Sequence, residues 1–100
     1  MSRRRSSLRR SKYEIFNEIL NIIYYQSDLP LTRIARAANL PVDRAKPLLQ
    51  FLQARNLIFD EEDDGLTIYR ISPEGVEFIE LFKRLSRLVP SDDDLEGINI

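Results

Sequence analysis

The side chains of this sequence that are best suited to chemistry are cations and amides in the middle of the chain. Arginine can donate two hydrogen bonds to the edge of guanine, and glutamine can pair with adenine in the same bidentate way. Arg44 and Gln50 are therefore predicted to recognise base edges. Lys46, Arg33 and Arg36 are predicted to contact phosphates and to set the orientation on a duplex. The same residue types also cover ordinary solvated helices, so both interpretations stay open here.

Positive charge is concentrated at the N-terminus. The first twelve residues contain six cations and no acid, namely Arg3, Arg4, Arg5, Arg9, Arg10 and Lys12. Cations that neutralise phosphates release counterions and raise the affinity for any DNA sequence. Residues 1–10 are therefore predicted to be a flexible basic arm whose five arginines bind DNA, along the phosphates or in the minor groove. The alternative is a soluble tail that binds nothing in particular.

Negative charge is concentrated in two other segments, which the formal net charge of -1 conceals. Five acids are consecutive at residues 60–64, and Asp92, Asp93, Asp94 and Glu96 follow near the end of the chain. Phosphates repel such a run, so we expect residues 60–64 to point away from DNA or to contact a protein. Residues 90–100 have few core-forming side chains and are predicted to be a disordered acidic tail.

Composition excludes several classes of site. The chain has neither cysteine nor histidine, so it can form no disulfide, no thiolate or imidazole zinc site and no histidine base. The clustered acids lie in a predicted loop and tail, where nothing orients or desolvates them for catalysis. Residues 60–64 also lack the alternating ligands of a calcium loop. We predict no enzymatic activity, no cofactor, no metal and no small-molecule substrate.

The most apolar stretch of the chain is residues 15–25. It contains Asn17, Glu18 and Asn21, and it is too short and too polar to cross a bilayer. The N-terminus lacks the apolar segment and the cleavage site of a secretory signal. The protein is therefore predicted to be cytoplasmic, without a membrane partner.

Three helices are predicted in the first part of the chain. Ser11 and Glu14 form a capping-box pattern before a helix that runs to about residue 25. Apolar spacing then places a second helix at residues 31–38 and a third at residues 42–55. Pro47 favours a late start of the third helix, near Asp43, which places the proline close to the first turn, over a kink within the helix.

A hairpin and a fourth helix are predicted to follow. Asn56 can adopt the left-handed conformation that ends a helix. The β-prone runs 57–59 and 66–71 are joined through Asp64 and Gly65, a pair typical of hairpin turns. Ser72 and Pro73 are the start signals of a helix toward residue 88.

This order, helix, helix, turn, helix, hairpin, helix, is that of a winged helix-turn-helix. The fold class is mainly α with a small β-hairpin, and residues 11–89 are predicted to form one domain. In a helix-turn-helix the second helix of the pair enters the major groove of DNA. Here that helix is the third one, residues 42–55.

Residues 11–88 resemble the small archaeal winged-helix DNA-binding proteins. The stretches that carry the resemblance are RSKYEI at 10–15, ANL at 38–40, LQFL at 49–52, NLI at 56–58 and ISPEGVEF at 71–78. The resemblance implies that the protein binds duplex DNA as a dimer. It also implies that the third helix reads DNA through Asp43, Arg44, Lys46 and Gln50.

The last helix is predicted to form a dimer seam. Some relatives extend this helix into an antiparallel coiled coil, whereas here it has fewer than two heptads before Pro90. We predict that Phe82, Leu85 and Val89 pack with first-helix residues such as Phe16 across a two-fold axis. The alternative is that these side chains only complete the core of one chain.

Two functions remain open from the sequence. The leading hypothesis is a double-stranded DNA-binding protein, a transcriptional regulator or a chromatin-like protein that acts as a homodimer. The runner-up is a winged-helix module for protein interaction through its acidic wing and tail. The feature that separates them is whether Arg33, Arg36, Arg44 and Lys46 converge on one patch.

Overall fold

The start of the first helix, α1, is fixed by hydrogen bonds of its N-terminal cap. The computed structural model of the chain describes residues 10–89, and α1 spans Lys12–Gln26. The backbone N–H of Glu14 donates to the Ser11 hydroxyl at 3.1 Å, and the N–H of Ser11 donates to the Glu14 carboxylate at 2.8 Å. These two bonds satisfy two of the unpaired donors at the helix start. The predicted capping box is therefore confirmed.

The next two helices form a tightly joined pair. Helix α2 spans Leu31–Ala37 and α3 spans Val42–Ala54. Between them Asn39 has φ of 60°, its N–H donates to the carbonyl of Arg36, and the N–H of Leu40 donates to that of Ala35. This pattern is a Schellman motif, which ends a helix and reverses the chain.

Helix α3 begins within one residue of the start that Pro47 favoured. The helix starts at Val42, next to Asp43, so Pro47 lies early in its second turn. The interpretation of a late helix start is therefore confirmed. Because proline has no N–H, the carbonyl of Asp43 receives no helical hydrogen bond from position 47. At the other end Asn56 has φ of 62°, which confirms that it ends the helix in the left-handed conformation.

The hairpin is longer than predicted. Strand β1 spans Ile58–Asp63 and pairs antiparallel with β2, Leu66–Ile71. Four of the five consecutive acids lie in β1 and not in a loop, and two of them, Glu62 and Glu61, bond with Thr67 and Arg70 of β2. The N–H of Tyr69 also donates to the carbonyl of Leu29 at 3.1 Å, which fastens β2 to the segment before α2.

The last helix, α4, spans Pro73–Leu88. The Ser72 hydroxyl accepts from the N–H of Gly75 at 3.1 Å and donates to the carbonyl of Asn56 at 2.6 Å. The same serine therefore caps α4 and joins it to the end of α3.

One hydrophobic core holds these elements together. Its fully buried side chains come from α1, α2, α3 and β1, and they include Ile19, Leu20, Ile23, Ile34, Leu49, Leu52 and Ile58. The predicted fold class and order of elements are confirmed. None of the helices between residues 10 and 89 has the length and apolarity needed to span a bilayer.

Candidate nucleic-acid interface

Helix α2 presents two cations on its outer face. Ile34, Ala35 and Ala38 are buried against the rest of the domain. Arg33 and Arg36 are exposed, and their spacing of three places them on the same side of the helix. Both side chains lie where phosphate contacts were predicted, on the helix that precedes α3.

Helix α3 presents a polar face opposite the core. Ala45, Leu49 and Leu52 are buried, and the predicted site residues Asp43, Arg44, Lys46 and Gln50 are all exposed. Residues four positions apart, such as Lys46 and Gln50, differ by about 40° around the helix axis. Lys46 and Gln50 therefore lie on one stripe, with Asp43 beside them.

Arg44 lies on the other flank of α3. Residues two positions apart differ by roughly 200° around a helix, so Arg44 and Lys46 do not face each other. Arg44 and Lys46 therefore border a face of α3 at whose centre Asp43, Pro47 and Gln50 are exposed.

An aromatic side chain shares the flank of Arg44, and the sequence analysis missed it. Phe51 is 48% exposed, its ring stacks on Phe16 with centroids 5.3 Å apart, and the guanidinium of Arg55 lies 6.0 Å from its centroid. A groove of about 870 Å³ runs from here between α1, α3 and α4. Helical periodicity places position 51 away from the buried stripe of α3, and this signal could have identified Phe51 as an exposed aromatic residue.

Arg10 is held within the fold. Its guanidinium forms an ion pair with Glu18 of α1, and its Nη1 donates to the carbonyl of Ala38 at 3.0 Å. The arm prediction treated Arg10 as a free phosphate contact, whereas here its Nη1 already has two partners. Arg3, Arg4, Arg5 and Arg9 lie outside the described residues, as does the tail at 90–100.

The hairpin carries negative charge on its outer strand. Arg70 of β2 donates to Glu61 at 2.7 Å and forms a second ion pair with Asp28 at 2.9 Å, and these carboxylates raise the pKa of Arg70. Burial, together with nearby Asp60, also raises the pKa of Tyr69. Among the described residues, Asp60, Asp63 and Asp64 have no cation within ion-pair distance. The wing is therefore an acidic surface.

The predicted dimer residues fall into two groups. Phe16 is only 9% exposed and belongs to the core, so it has little surface left for another chain. Phe82 is half-buried and stacks on Phe78, with ring centroids 6.2 Å apart. Leu85 and Val89 are 57% and 41% exposed at the end of α4.

Within residues 10–89, no group of three or more acids is arranged to hold a metal ion.

The sequence and the fold were compared with known proteins. A family model described as winged helix-turn-helix matches residues 9–89. Similar solved structures include the S. aureus MepR-DNA complex, at 19% identity over 83% of this chain and 71% of that one, with a TM-score of 0.66. The PcaV transcriptional regulator from Streptomyces coelicolor is 19% identical over 85% of this chain and 64% of that one, with a TM-score of 0.69.

A further similar structure is Streptococcus pneumoniae FabT in complex with DNA. It is 11% identical over 84% of this chain and 60% of that one, with a TM-score of 0.64. At these identities the likeness concerns the fold alone. The chain spans about two thirds of the length of these structures. None of the curated proteins compared matches this sequence.

Proposed function

Because this chain belongs to the winged helix-turn-helix family, we propose that it binds double-stranded DNA as a transcriptional regulator. The observation that carries the proposal is the polar face of α3, which is exposed along its length while α2 braces it from behind. A helix of this kind fits the major groove, which is about 12 Å wide. The solved structures of MepR and FabT with DNA support the proposal.

The residues of α3 have separate roles in this proposal. Gln50 and Arg44 pair with base edges on the two sides of the helix, and Lys46 contacts a phosphate. Asp43 lies in the first turn of α3, where its charge is favourable to the helix dipole and its carboxylate can accept from cytosine. Arg33 and Arg36 of α2 contact the flanking phosphates.

The wing has no DNA contact in this proposal. A phosphate backbone repels the carboxylates of Asp60, Asp63 and Asp64, which have no ion-pair partner within residues 10–89. The same acidic surface favours the second candidate function, a protein-interaction module in which the wing binds a basic partner.

A titration of duplex DNA separates the two functions. We expect the fluorescence anisotropy of a labelled mixed-sequence duplex to rise on addition of the protein, and the affinity to fall as salt increases. Each phosphate contact contributes a slope of about 0.9 to the log-log salt dependence. Absence of binding even at low salt contradicts DNA binding and leaves the protein-interaction module as the function.

We also propose that two copies associate through the exposed end of α4. Leu81, Leu85 and Leu88 are 53%, 57% and 79% exposed, and their spacing places them on one side of the helix. A stripe of large apolar side chains on a small domain favours association. The seam differs from the one predicted from the sequence, because Phe16 is buried and Tyr13, which is 67% exposed, is the aromatic residue that α1 offers.

A charge in the apolar stripe of α4 is expected to separate the copies. For the variant Leu85→Glu, light scattering at high protein concentration should give the mass of one chain, whereas the unmodified protein gives twice that mass. Burying an unpaired carboxylate in an apolar seam costs several kcal/mol. Leu66→Glu is the matched control, since Leu66 is 52% exposed at the wing and the change should leave the mass doubled. A single-chain mass for the unmodified protein contradicts the dimer.

A further inference from the structure

The groove between α1, α3 and α4 is open and has largely apolar walls. Its volume is about 870 Å³, and its lining includes the rings of Tyr13, Phe16, Phe51 and Phe78 and the side chain of Leu81. Tyr13, Phe51 and Leu81 are exposed, so the walls leave apolar surface in contact with water. Contiguous apolar surface on a small domain marks a place where another group docks.

The second half of α4 carries apolar side chains that match this groove. Leu85 and Leu88 are exposed and form, together with Leu81, the apolar stripe of α4. Leu81 is the last residue of α4 that lines the groove, so Leu85 and Leu88 of the same chain lie beyond it. Leu81 therefore belongs to both surfaces, because the groove ends there and the stripe begins there.

Charge is divided along α4 in the same way. The first half of the helix carries acids and the second half carries cations, namely Glu74, Glu77 and Glu80, followed by Lys83, Arg84 and Arg87. Glu74 and Glu77 line the groove. The cations that line it, Lys12 and Arg55, belong to α1 and to the end of α3, so the acids are confined to the α4 wall. An apolar groove with an acidic wall complements a helix end that is apolar and basic.

We infer that the groove of each copy receives the second half of the partner's α4, so that the two α4 helices run antiparallel and cross at Leu81. This inference rests on the proposed dimer and adds the surface that receives the stripe. A two-fold axis at Leu81 relates equal offsets along the helix. Leu85, four positions after Leu81, lies opposite the partner's Glu77, four positions before it. Each copy therefore gives and receives the same contacts.

The same arrangement brings Glu77 and Arg84 together across the axis. These two residues are seven positions apart, so they differ by only about 20° around α4 and lie on one flank of the stripe. A two-fold axis perpendicular to both helices keeps this flank on the same side in both copies. Along the helix, the partner's Arg84 then lies within one residue, about 1.5 Å, of Glu77. Neither side chain has an ion-pair partner within residues 10–89, so both are free for this contact.

Engineered disulfides test the position of the axis, because the chain has no cysteine of its own. Leu81→Cys places two thiols face to face at the axis, and mild oxidation should link most of the protein into covalent pairs. Leu85→Cys is the matched control, since it replaces another exposed leucine of the stripe. The two copies of position 85 are offset by about 12 Å along the helices, whereas a disulfide spans at most about 7 Å between Cα atoms. This variant should therefore stay unlinked.

The outcomes separate this inference from the dimer itself. Linkage of Leu85→Cys, or no linkage of Leu81→Cys while light scattering gives twice the mass of one chain, contradicts docking in the groove and leaves the dimer in place. A single-chain mass for the unmodified protein contradicts both.

Charge exchange tests the contact between the groove and the helix end. Glu77→Arg and Arg84→Glu each place like charges across the axis, so each should raise the dissociation constant of the dimer about tenfold or more at low salt. An equal mixture of the two variants restores both ion pairs and should associate as tightly as the unmodified chain. Asp63→Arg, a charge reversal at an exposed position of the wing, is the control and should leave the dissociation constant unchanged. If the mixture associates no more tightly than its components, the proposed docking is wrong.

Discussion

Substitution of Gly75 by alanine is expected to lower the free energy of unfolding by about 3 kcal/mol. Gly75 is buried in the first turn of α4, where a Cβ atom would lie 2.3 Å from the carbonyl oxygen of Leu57 and 2.5 Å from Cγ1 of Ile71. The oxygen belongs to the backbone and already accepts from the N–H of Ser72 at 3.0 Å. It cannot move aside without the loss of that bond, so α4 itself must shift away from the hairpin.

Thermal unfolding followed by circular dichroism measures this effect. For a domain of this size, 3 kcal/mol corresponds to a fall in melting temperature of roughly 12 to 24 °C. Gly65→Ala is the matched control, because Gly65 has φ of 80° and no atom within 4 Å of the added Cβ. That variant suffers backbone strain alone, about 1 kcal/mol. Equal losses in the two variants would show that the close approach at Gly75 is not what constrains this position.

Local signals were sufficient to predict most of the fold. Ser11 with Glu14, and Ser72 with Gly75, mark helix starts through hydrogen bonds made within four residues, so the sequence contains both partners. Asn56 ends α3 in the left-handed conformation for the same local reason. Pro47 is a local signal as well, because it favoured a start of α3 near Asp43 and the helix starts at Val42.

The parts that could not be predicted depend on contacts between distant residues. The acids of β1 were assigned to a loop because their own β propensity is low. In the strand they gain partners from β2, because Thr67 lies opposite Glu62 and bonds with it, and Arg70 reaches diagonally across the hairpin to bond with Glu61. Such pairs exist only once the hairpin has formed.

In the candidate site, too, local patterns predicted which side chains are exposed but not the contacts between distant residues. Helical periodicity predicted that Arg33, Arg36, Arg44, Lys46 and Gln50 are exposed, and each of them is. The partners of Arg10 are 8 and 28 residues away in the chain, so no local pattern could reveal that this arginine is held. Phe16 was assigned to an interface for a similar reason, since its stacking on Phe51 is a contact between two helices.

The second large effect is a loss of DNA affinity when the exposed polar side chains of α3 are removed. We expect the triple variant Arg44→Ala, Lys46→Ala and Gln50→Ala to bind a preferred duplex about a hundredfold or more weakly, since each base contact contributes about 1–3 kcal/mol. Lys83→Ala with Arg84→Ala, two exposed cations of α4, is the control and should bind nearly as well as the unmodified chain. Anisotropy titrations at one salt concentration give both affinities. If the control loses as much as the triple variant, the binding is electrostatic and α3 has no special role.

Single substitutions then distinguish the roles of the side chains on the two flanks of α3. Lys46→Ala should weaken binding equally on every duplex and lower the salt slope by about 1, because its partner is a phosphate. Arg44→Ala and Gln50→Ala should each relax the preference at one base position, and the two positions should differ because these side chains leave α3 on different sides. Titrations against duplexes with single base changes measure this. Relaxation at the same base position for both variants would contradict the orientation proposed for α3 in the groove.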